Sequence, residues 1–426
     1  MVAMTTPTVG APSVLSHGEN GLRFAPGDAD HSAGIVLGLA DPKMHRRLAI
    51  TGQLTVTERF ASDHMLNETE RGFNEIVFPS PEREPLSPSI PSLSVIVPTY
   101  NRREFLRNLL RALSRQTYPS DHFEVIVVDD GSTDGTAGIA SERFPFALRY
   151  YRQENQGDAE ARNLGARHAQ AELLVFIDDD MVLDPGYLAG LVHTHAGRRD
   201  RIVAGVWEPW LPESNPLGEA LRASEMVDPA LTTTEMSFTQ VHSNNMALSR
   251  DAFFEIGMMQ NLAFSGSSIW CDLDFSYRAF RKGFEFIRSH QAICWHHDQH
   301  TRSLHSYSQR WRTAAYRSVA LFQKYPELIA LTPMFHDKTP ITWKEDPPQL
   351  IVRKLARSLA STRASLWCME KIVSVLEKWR PTSGILRSLY RYVIGGYILR
   401  GYREGLGEFG HAKIHVEAAA SVSDPT

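Results

Sequence analysis

Three consecutive carboxylates, Asp178, Asp179 and Asp180, follow directly after the apolar run of residues 173–177. Carboxylate oxygens are ligands that Mg²⁺ and Mn²⁺ prefer, and an ion with incomplete protein coordination can bridge the phosphates of a substrate. In an extended segment, the first and third carboxylates can turn towards one ion while the middle one points elsewhere. Asp is also favoured in turns and at helix starts, so the structural alternative is a solvated turn or an N-cap for a helix in the segment after Pro185.

Strand and helix patterns alternate around this acidic run. Apolar runs typical of buried strands occupy residues 93–98, 123–128, 148–151 and 173–177, and helical spacing is found at residues 102–115, 134–144 and 159–171. This alternation predicts an α/β fold with a parallel sheet, in which ligands bind at the carboxyl ends of the strands. Polar clusters end three of the strands, at residues 99–101, 129–130 and 178–180. The sequence therefore predicts one site across three strand ends.

Composition limits the class of protein. The chain has 426 residues, 42% of them hydrophobic, which excludes a disordered or fibrous protein. Its formal net charge of −4 argues against a general nucleic-acid binder. The three cysteines (Cys271, Cys294 and Cys368) make neither a disulfide framework nor a C-x-x-C zinc site. Neither an apolar run of transmembrane length nor a signal-peptide pattern occurs, so a cytoplasmic protein is expected.

A phosphate-binding loop of the GxxxxGK[ST] type is absent from the sequence, which disfavours a P-loop nucleotidase. A metal and phosphate site that is built without such a loop, from strand ends, favours a nucleoside-diphosphate donor as the ligand.

Four segments in order resemble the motifs of the family-two glycosyltransferases: SVIVPTYNR at residues 94–102, VVDDGSTD at 127–134, NQG at 155–157 with ARN at 161–163, and FIDDD at 176–180. The resemblance extends over residues 92–300. It implies a GT-A fold, which is a Rossmann-type mixed sheet flanked by helices. It also implies a metal-dependent, inverting sugar transferase that takes a nucleotide-sugar donor, with a UDP-sugar favoured and Mn²⁺ or Mg²⁺ as the cofactor.

The resemblance also implies roles on the donor side. Asp130 would accept a hydrogen bond from the imide of the base, and Arg162 would approach the nucleotide or its phosphates. Asp178 and Asp180 would be the metal-binding pair, with Asp180 the direct ligand. The implied nucleotide-sugar contacts are Pro98, Thr99, Tyr100, Arg102, Asp130, Arg162 and Asp179.

A second acidic segment, WCDLDFSYR at residues 270–278, is similar to the family's Glu-Asp-x-Asp motif at a helix start. By this resemblance Asp272 is the general base that takes the proton of the acceptor hydroxyl, although Cys271 stands where the family usually has Glu. The acceptor-side residues implied in the same way are Trp207, Asn245 and Asp274. Capping of a helix N-terminus is the structural alternative for Asp272 and Asp274, and the two roles are compatible.

Three histidines lie in the segment WHHDQH at residues 295–300. His296 matches a histidine that supplements the metal or phosphate site in family relatives, and a neutral imidazole can bind Mn²⁺. His297 and His300 are weaker matches, and an exposed loop is the alternative for all three.

The N-terminal residues 1–78 hold a second resemblance. Residues 8–76, which include HGENGLRFAPGD at 17–28, resemble the nucleotide-side end of family-four, GT-B glycosyltransferases, so a short α/β fragment is expected. The donor-side glutamate of that family would fall near Ser13, so we interpret the fragment as a remnant or docking module. Closely spaced prolines predict an extended linker over residues 79–91, with the catalytic domain at 92–302.

The C-terminal residues 303–410 have helical periodicity and an excess of basic side chains, and residues 411–426 are expected to form a flexible tail. Two interpretations of the basic helices remain open. They either pack on the catalytic domain with a solvated basic side, or they contact anionic lipid peripherally at the inner face of a membrane.

These patterns together predict an inverting, metal-dependent glycosyltransferase with a saccharide or lipid-linked acceptor, acting in bacterial cell-surface polysaccharide or glycolipid synthesis. The alternative, prompted by Cys271, is a catalytically inactive GT-A protein that binds sugar nucleotides or assists assembly. A nucleotidyltransferase would need a basic phosphate-binding loop after the first strand, and residues 98–101 do not form one. The sugar, the base, the acceptor and the oligomeric state remain open.

Overall fold

The computed structural model describes residues 4–5, 22–23, 92–209, 216–218, 232–261, 269–297, 303–335, 337–344, 346–379 and 383–410. The chain divides into two compact units, Met1–Ile90 and Pro91–Thr426. In the first unit, strand β1 (Met4–Thr5) pairs in parallel with β2 (Leu22–Arg23). The rest of the predicted fragment 1–78, the linker 79–91 and the tail 411–426 lie outside the described residues.

The second unit is built on a mixed sheet. Its strands are β3 (Leu93–Thr99), β4 (Phe123–Asp129), β5 (Ala147–Arg152), β6 (Leu173–Ile177), β7 (Met181–Leu183), β8 (Arg201–Pro209), β9 (Thr233–Glu235), β10 (Asn245–Ser249) and β11 (Glu285–His296). Their order across the sheet is β5-β4-β3-β6-β10-β8-β11-β7, and β9 pairs with β11. Strands β5, β4, β3 and β6 are parallel, and β10 runs antiparallel to β6. The predicted α/β fold with a mixed sheet is confirmed.

Burial explains why the parallel strands could be recognised in the sequence. Every residue of β3, β4 and β6 is buried, because helices and loops cover both faces of a parallel sheet. Such strands appear as nearly continuous apolar runs. Their polar residues therefore gather at the strand ends.

Helices cover the sheet and form the C-terminal part. Those of the sheet domain are α1 (Arg103–Leu113), α2 (Asp158–His168), α3 (Tyr187–His195), α4 (Arg250–Ile256) and α5 (Cys271–Arg281). The C-terminal helices are α6 (Leu304–Lys324), α7 (Leu328–Leu331), α8 (Pro348–Ala360), α9 (Arg363–Trp379) and α10 (Ser383–Phe409). The predicted helical C-terminal region is confirmed. Across the described parts of the chain, we find no helix that combines the length and the apolar character needed to cross a membrane.

Helices α6 and α10 cross at very close range. A Cβ on Gly401 would lie 2.0 Å from the carbonyl oxygen of Arg312, and one on Gly405 would lie 2.3 Å from that of Tyr316. Only glycine allows the two backbones to approach this closely. The aromatic rings of Phe322, Phe335 and Tyr402 fill the adjoining core.

Two local predictions are corrected. The helix expected over residues 134–144 is a short 3-10 segment, Thr136–Ser141, because Gly135 adopts a left-handed conformation (φ +84°) and Asp134 bonds the backbone N–H of Thr136. Strand β7 was not predicted. It follows the acidic run after a tight turn and pairs antiparallel with β11, which places Met181 opposite His296.

Candidate active site

Three strand ends meet in the sheet as the sequence predicts. Strand β3 lies between β4 and β6, and Thr99 is opposite Asp129 in the register. The Thr99 hydroxyl donates a hydrogen bond of 2.7 Å to Oδ2 of Asp179, joining the first strand end to the acidic run. Because the parallel strands end at the same edge of the sheet, side chains that lie far apart in the sequence come close together there.

Arg102 connects two of the three carboxylates. Its Nη1 donates to Asp179 Oδ1 at 3.1 Å and to Asp180 Oδ2 at 2.7 Å, and its side chain is 42% exposed. Burial raises the pKa of Asp179 to about 7, although the Arg102 charge and the Thr99 hydrogen bond both act to lower it. With this raised pKa, the Asp179 carboxyl group is partly protonated at neutral pH.

Asp180 lies beside His296. The two residues approach at 3.3 Å between Oδ1 and Nε2, a contact that follows from the pairing of β7 with β11. Burial acts to raise the pKa of Asp180, but His296 and Arg102 outweigh it and the pKa is lowered. Oδ1 is buried and accepts no hydrogen bond of good geometry within the described residues. A cation could satisfy such an oxygen.

Asp178 faces helix α2. Arg162, which is almost fully buried, donates to Oδ1 of Asp178 and, at 2.5 Å, to Asp158 Oδ2. Burial raises the pKa of Asp178, and the Arg162 charge opposes that shift. Asp178 and Asp180 thus point to different partners in this structure.

The three predicted metal-binding residues do not all come together. Within the described residues, no three His, Cys, Asp or Glu side chains form a group that could hold an ion alone. Asp180 and His296 do adjoin, and the unsatisfied Oδ1 fits a hard cation that takes its remaining ligands from phosphate and water. The assignment of Asp178 as a ligand stays a prediction.

The other donor-side predictions have varied surroundings. Asp130 accepts hydrogen bonds from Gln153 Nε2 and from the backbone N–H groups of Gln156 and Gly157, at 2.7–2.9 Å. It therefore holds the loop before α2, and a contact to a nucleotide base stays a prediction. Tyr100 is half exposed beyond β3, whereas Pro98 is buried within that strand.

On the acceptor side, Asp272 lies in the first turn of α5, as predicted, and its side chain is 25% exposed. The residue before α5, Trp270, adopts a left-handed conformation and donates its indole N–H to the carbonyl of Ala314. His242 approaches Oδ2 of Asp272 through Nδ1 at 3.3 Å. This histidine was missed by sequence reasoning, although it directly precedes the segment that contains Asn245.

Asn245 and Asp274 are both buried and have partners within the fold, and their place on the acceptor side stays a prediction. The Asn245 amide accepts from Tyr187 Oη and from the N–H of Gly205, and it donates to the carbonyl of Gly205, which ties β10 to β8. Asp274 is 0% exposed and is paired with Arg278 and Lys324. Neither side chain is available to an acceptor in this conformation.

Trp207, which was predicted for the acceptor side, and two other residues discussed from the sequence, His297 and Cys271, have defined surroundings. Trp207 packs edge-on against His296 with ring centroids 5.7 Å apart, so it lies nearer the donor side than the sequence implied. The His297 ring packs against Phe105, and the backbone N–H of His297 donates to the carbonyl of Asp180. Cys271 is buried, and burial raises the pKa of its thiol well above the ordinary value. His300 lies outside the described residues.

Residues 94–257 match the model of the family described as Glycosyl transferase family 2. This part of the chain is a family 2 glycosyltransferase domain. The match includes all donor-side residues at the ends of β3, β4 and β6. It ends before Asp272 and His296, which were predicted from motifs further along the chain.

Similar proteins agree with this assignment. Validoxylamine A glucosyltransferase of Streptomyces hygroscopicus subsp. jinggangensis is 32% identical over 234 residues, which cover 48% of this chain and 54% of that protein. Glycosyltransferase AglE of Haloferax volcanii is 29% identical, and the match covers 50% of this chain and 68% of that protein. The chain thus spans about half the length of the validoxylamine glucosyltransferases it matches.

A solved structure shares the fold. The mannosyltransferase PcManGT from Pyrobaculum calidifontis, solved in complex with GDP-Man and Mn²⁺, aligns with a TM-score of 0.50 and 20% identity, covering 84% of this chain and 99% of that one. The sheet domain with its helices therefore has the GT-A fold.

Proposed function

We propose that this protein is an inverting, metal-dependent glycosyltransferase. It moves a sugar from a nucleoside-diphosphate donor, with a UDP-sugar favoured, to a saccharide or lipid-linked acceptor in cell-surface polysaccharide or glycolipid synthesis. The observation that carries the proposal is the charged cluster at three adjacent strand ends of a family 2 domain, where Arg102 and Arg162 meet the carboxylates of residues 178–180. The names of the similar glucosyltransferase and of the Mn²⁺-bound mannosyltransferase support it.

The donor side can bind a diphosphate and favour its departure. Asp180 and His296 would hold the cation, with Asp178 nearby, and a bound Mn²⁺ or Mg²⁺ would supply Lewis-acid stabilisation of the leaving diphosphate. Arg102 is partly exposed and can turn from the carboxylates to a phosphate oxygen, since planar guanidinium groups pair well with both. Arg162 is held in place by burial and orients Asp178.

The acceptor side must remove one proton. Direct displacement at the anomeric carbon requires the attacking hydroxyl to lose its proton to a base on the face opposite the leaving group. Asp272 supplies a partly exposed carboxylate at a helix start, and His242 together with the N–H of Leu273 fixes its orientation. The proton then resides on Asp272 until solvent removes it.

A donor-hydrolysis screen tests the proposal. Purified protein is incubated with a panel of nucleotide-sugars, with Mn²⁺, with Mg²⁺ or with a chelator, and the released nucleotide is measured. We expect one or a few donors to be hydrolysed only with a cation. Asp180→Ala should abolish hydrolysis and cation-dependent nucleotide binding while the fold survives, because the carboxylate lies at a strand end rather than in the apolar core.

Asp200→Ala is the matched control. Asp200 is an exposed carboxylate that pairs with the surface residue Arg198, so its removal should change neither folding nor hydrolysis. If Asp180→Ala keeps wild-type turnover, the metal assignment is wrong.

One observation favours the inactive, sugar-nucleotide-binding alternative. Cys271 replaces the first acid of the family motif, and its buried thiol stays neutral, so the acceptor side carries one charge fewer. A protein that binds a nucleotide-sugar tightly with Mn²⁺ but hydrolyses and transfers none of the panel would support this alternative.

A further inference from the structure

Helix α8 turns basic side chains towards the protein and apolar side chains towards solvent, the opposite of an ordinary surface helix. Lys354 is buried and pairs with Asp346 at 2.7 Å, and Arg357 pairs with Asp337 at 2.8 Å. Apart from the exposed Arg353, which pairs with Asp337, the side facing solvent is largely apolar. Val352, Leu355, Ala356 and Leu359 recur at helical spacing and are all exposed, with Leu359 at 77%.

Helix α9 continues this exposed apolar character. Trp367, Ile372, Val375 and Trp379 are exposed, and Trp379 reaches 80%. Nine of the eleven exposed large hydrophobic residues in the described parts of the chain lie between residues 343 and 385. Soluble surfaces rarely concentrate apolar side chains in this way, so the concentration marks a contact surface.

Both helices turn their other side to α10. Tyr390 of α10 donates its hydroxyl to Glu377 of α9, and Arg403 of α10 donates to Ser358 of α8. The exposed sides therefore face away from α10. We call them the outer face, which consists of Val352, Leu355, Ala356 and Leu359 of α8 and Trp367, Lys371, Ile372, Val375, Lys378 and Trp379 of α9.

Basic and acidic side chains of α9 lie on different sides of the helix. The basic side chains of α9, Arg363, Lys371 and Lys378, are exposed, and Lys371 lies 5.9 Å from the ring centroid of Trp367. The two acids of α9 are used internally. Glu370 contacts His305 at 3.2 Å, and Glu377 accepts the Tyr390 hydrogen bond. The outer face thus presents apolar and basic groups together, without an acid of its own.

We propose that the outer face binds the surface of an anionic lipid bilayer. The tryptophan and aliphatic side chains enter at headgroup level, where tryptophan is favoured, and the lysines extend along their stems to lipid phosphates. Each basic residue near an anionic leaflet adds to the attraction, which salt weakens. A second copy of the chain fits less well, because pairing two outer faces would bring Lys371 and Lys378 towards like charges.

Vesicle cosedimentation with the full-length protein tests this proposal. Vesicles of phosphatidylcholine alone are compared with vesicles that also contain phosphatidylglycerol, at low and high NaCl. We expect the protein to bind the anionic vesicles at least tenfold more strongly, and the binding to weaken as salt rises. Equal binding to both vesicle types, or binding to neither, would overturn the proposal.

Two outer-face variants and one control locate the contact. Lys371→Glu with Lys378→Glu should lower anionic-vesicle binding at least tenfold, and so should Leu359→Ser with Trp379→Ser. The control reverses two exposed basic residues of the sheet domain, Arg199→Glu with Lys282→Glu, and should stay within twofold of wild type. Thermal unfolding shows whether each variant is folded.

Other results would contradict the assignment. If neither outer-face variant changes vesicle binding, the lipid contact lies elsewhere. If the protein ignores vesicles but forms a dimer that Leu359→Ser with Trp379→Ser dissolves in analytical ultracentrifugation, the outer face is an interface between copies.

Discussion

On the donor side, Asp179 and Asp180 are buried and paired with arginine or histidine, and the partly exposed Asp178 is paired with the buried Arg162. On the acceptor side, Asp272 is partly exposed beside His242. The donor cluster is built on strand ends in the middle of the sheet. Asp272 instead stands at the start of one helix. We infer from this difference that the two regions have separate roles. The paired charges of the donor side preorganise a binding site for an anion and its cation, and the accessible Asp272 carboxylate contacts the acceptor.

The sharpest test of this division replaces the acceptor-side acids one at a time. Asp272→Asn should lower transfer by roughly 10²–10⁴-fold while donor and metal binding stay near normal, because the amide keeps the shape but cannot take a proton. Initial rates with donor and acceptor, alongside donor binding by calorimetry, measure both quantities. Transfer at the wild-type rate would remove Asp272 from the mechanism.

Asp274→Asn, two residues from Asp272, tests whether an acid of the same helix start has a structural role instead of a catalytic one. Because Asp274 is fully buried with Arg278 and Lys324, the variant should lose stability by about 3 kcal/mol, yet the protein that remains folded should retain transfer. Asp251→Asn, at the first turn of α4, controls for helix-start carboxylates in an exposed position. If Asp274→Asn alone stops transfer in folded protein, the base is misassigned by two residues.

The raised pKa of Asp179 should make the stability of the protein depend on pH. The pKa of Asp179 is raised to about 7 from an ordinary value near 4, so between those values the folded protein holds a proton that the unfolded chain has lost. The associated stability is complete below about pH 4 and is lost as the pH rises through about 7. Without donor or cation, wild type should lose up to about 3 kcal/mol more than Asp179→Asn between pH 5 and pH 8.

Denaturant unfolding at several pH values measures that difference. Asp134→Asn serves as the comparison, because Asp134 lies near the second strand end but has a lowered pKa, with hydrogen bonds from Thr136 and Arg103 outweighing its slight burial. If the free energy of unfolding depends on pH in the same way for wild type and Asp179→Asn, the pKa of Asp179 is not raised in the folded protein.

A smaller effect is expected from the partner of the base. His242→Ala should lower kcat by roughly tenfold with the donor KM unchanged, because the Asp272 carboxylate loses one of the groups that orient it. His242→Asn can present its amide N–H near the position of Nδ1 and should recover much of the rate. Equal losses in the two variants would mean that the histidine acts in some way other than by positioning.

Least change is expected from the first unit of the chain. The family 2 domain begins at residue 94, and the boundary between the compact units falls at Ile90. Deleting residues 1–79 should therefore leave donor hydrolysis within about twofold of wild type, measured on folded, purified protein. A folded truncation without hydrolysis would mean that the donor side is incomplete on its own.

The sequence predicted some parts of the site better than others, for physical reasons. Strands β3, β4 and β6 were found nearly to the residue, since burial on both faces demands an apolar run. The helix over residues 134–144 was predicted too long, because the Asp134 side chain accepts a hydrogen bond from the backbone N–H of Thr136, and such local bonds compete with helix formation. The internal partners of Asn245 and Asp274 could not be predicted, because a polar residue in a motif does not reveal which groups of the fold it contacts.

By itself the sequence determined the alternation of strands and helices, the three polar strand ends and the helix start that carries Asp272. These features depend on neighbours within one strand or one turn. Only the tertiary structure decided that Arg102 bridges Asp179 and Asp180, that His296 contacts Asp180, and that Lys354 of α8 is buried against Asp346. Such contacts depend on strand register and on which helix packs alongside, and these are set by the whole fold rather than by any local pattern.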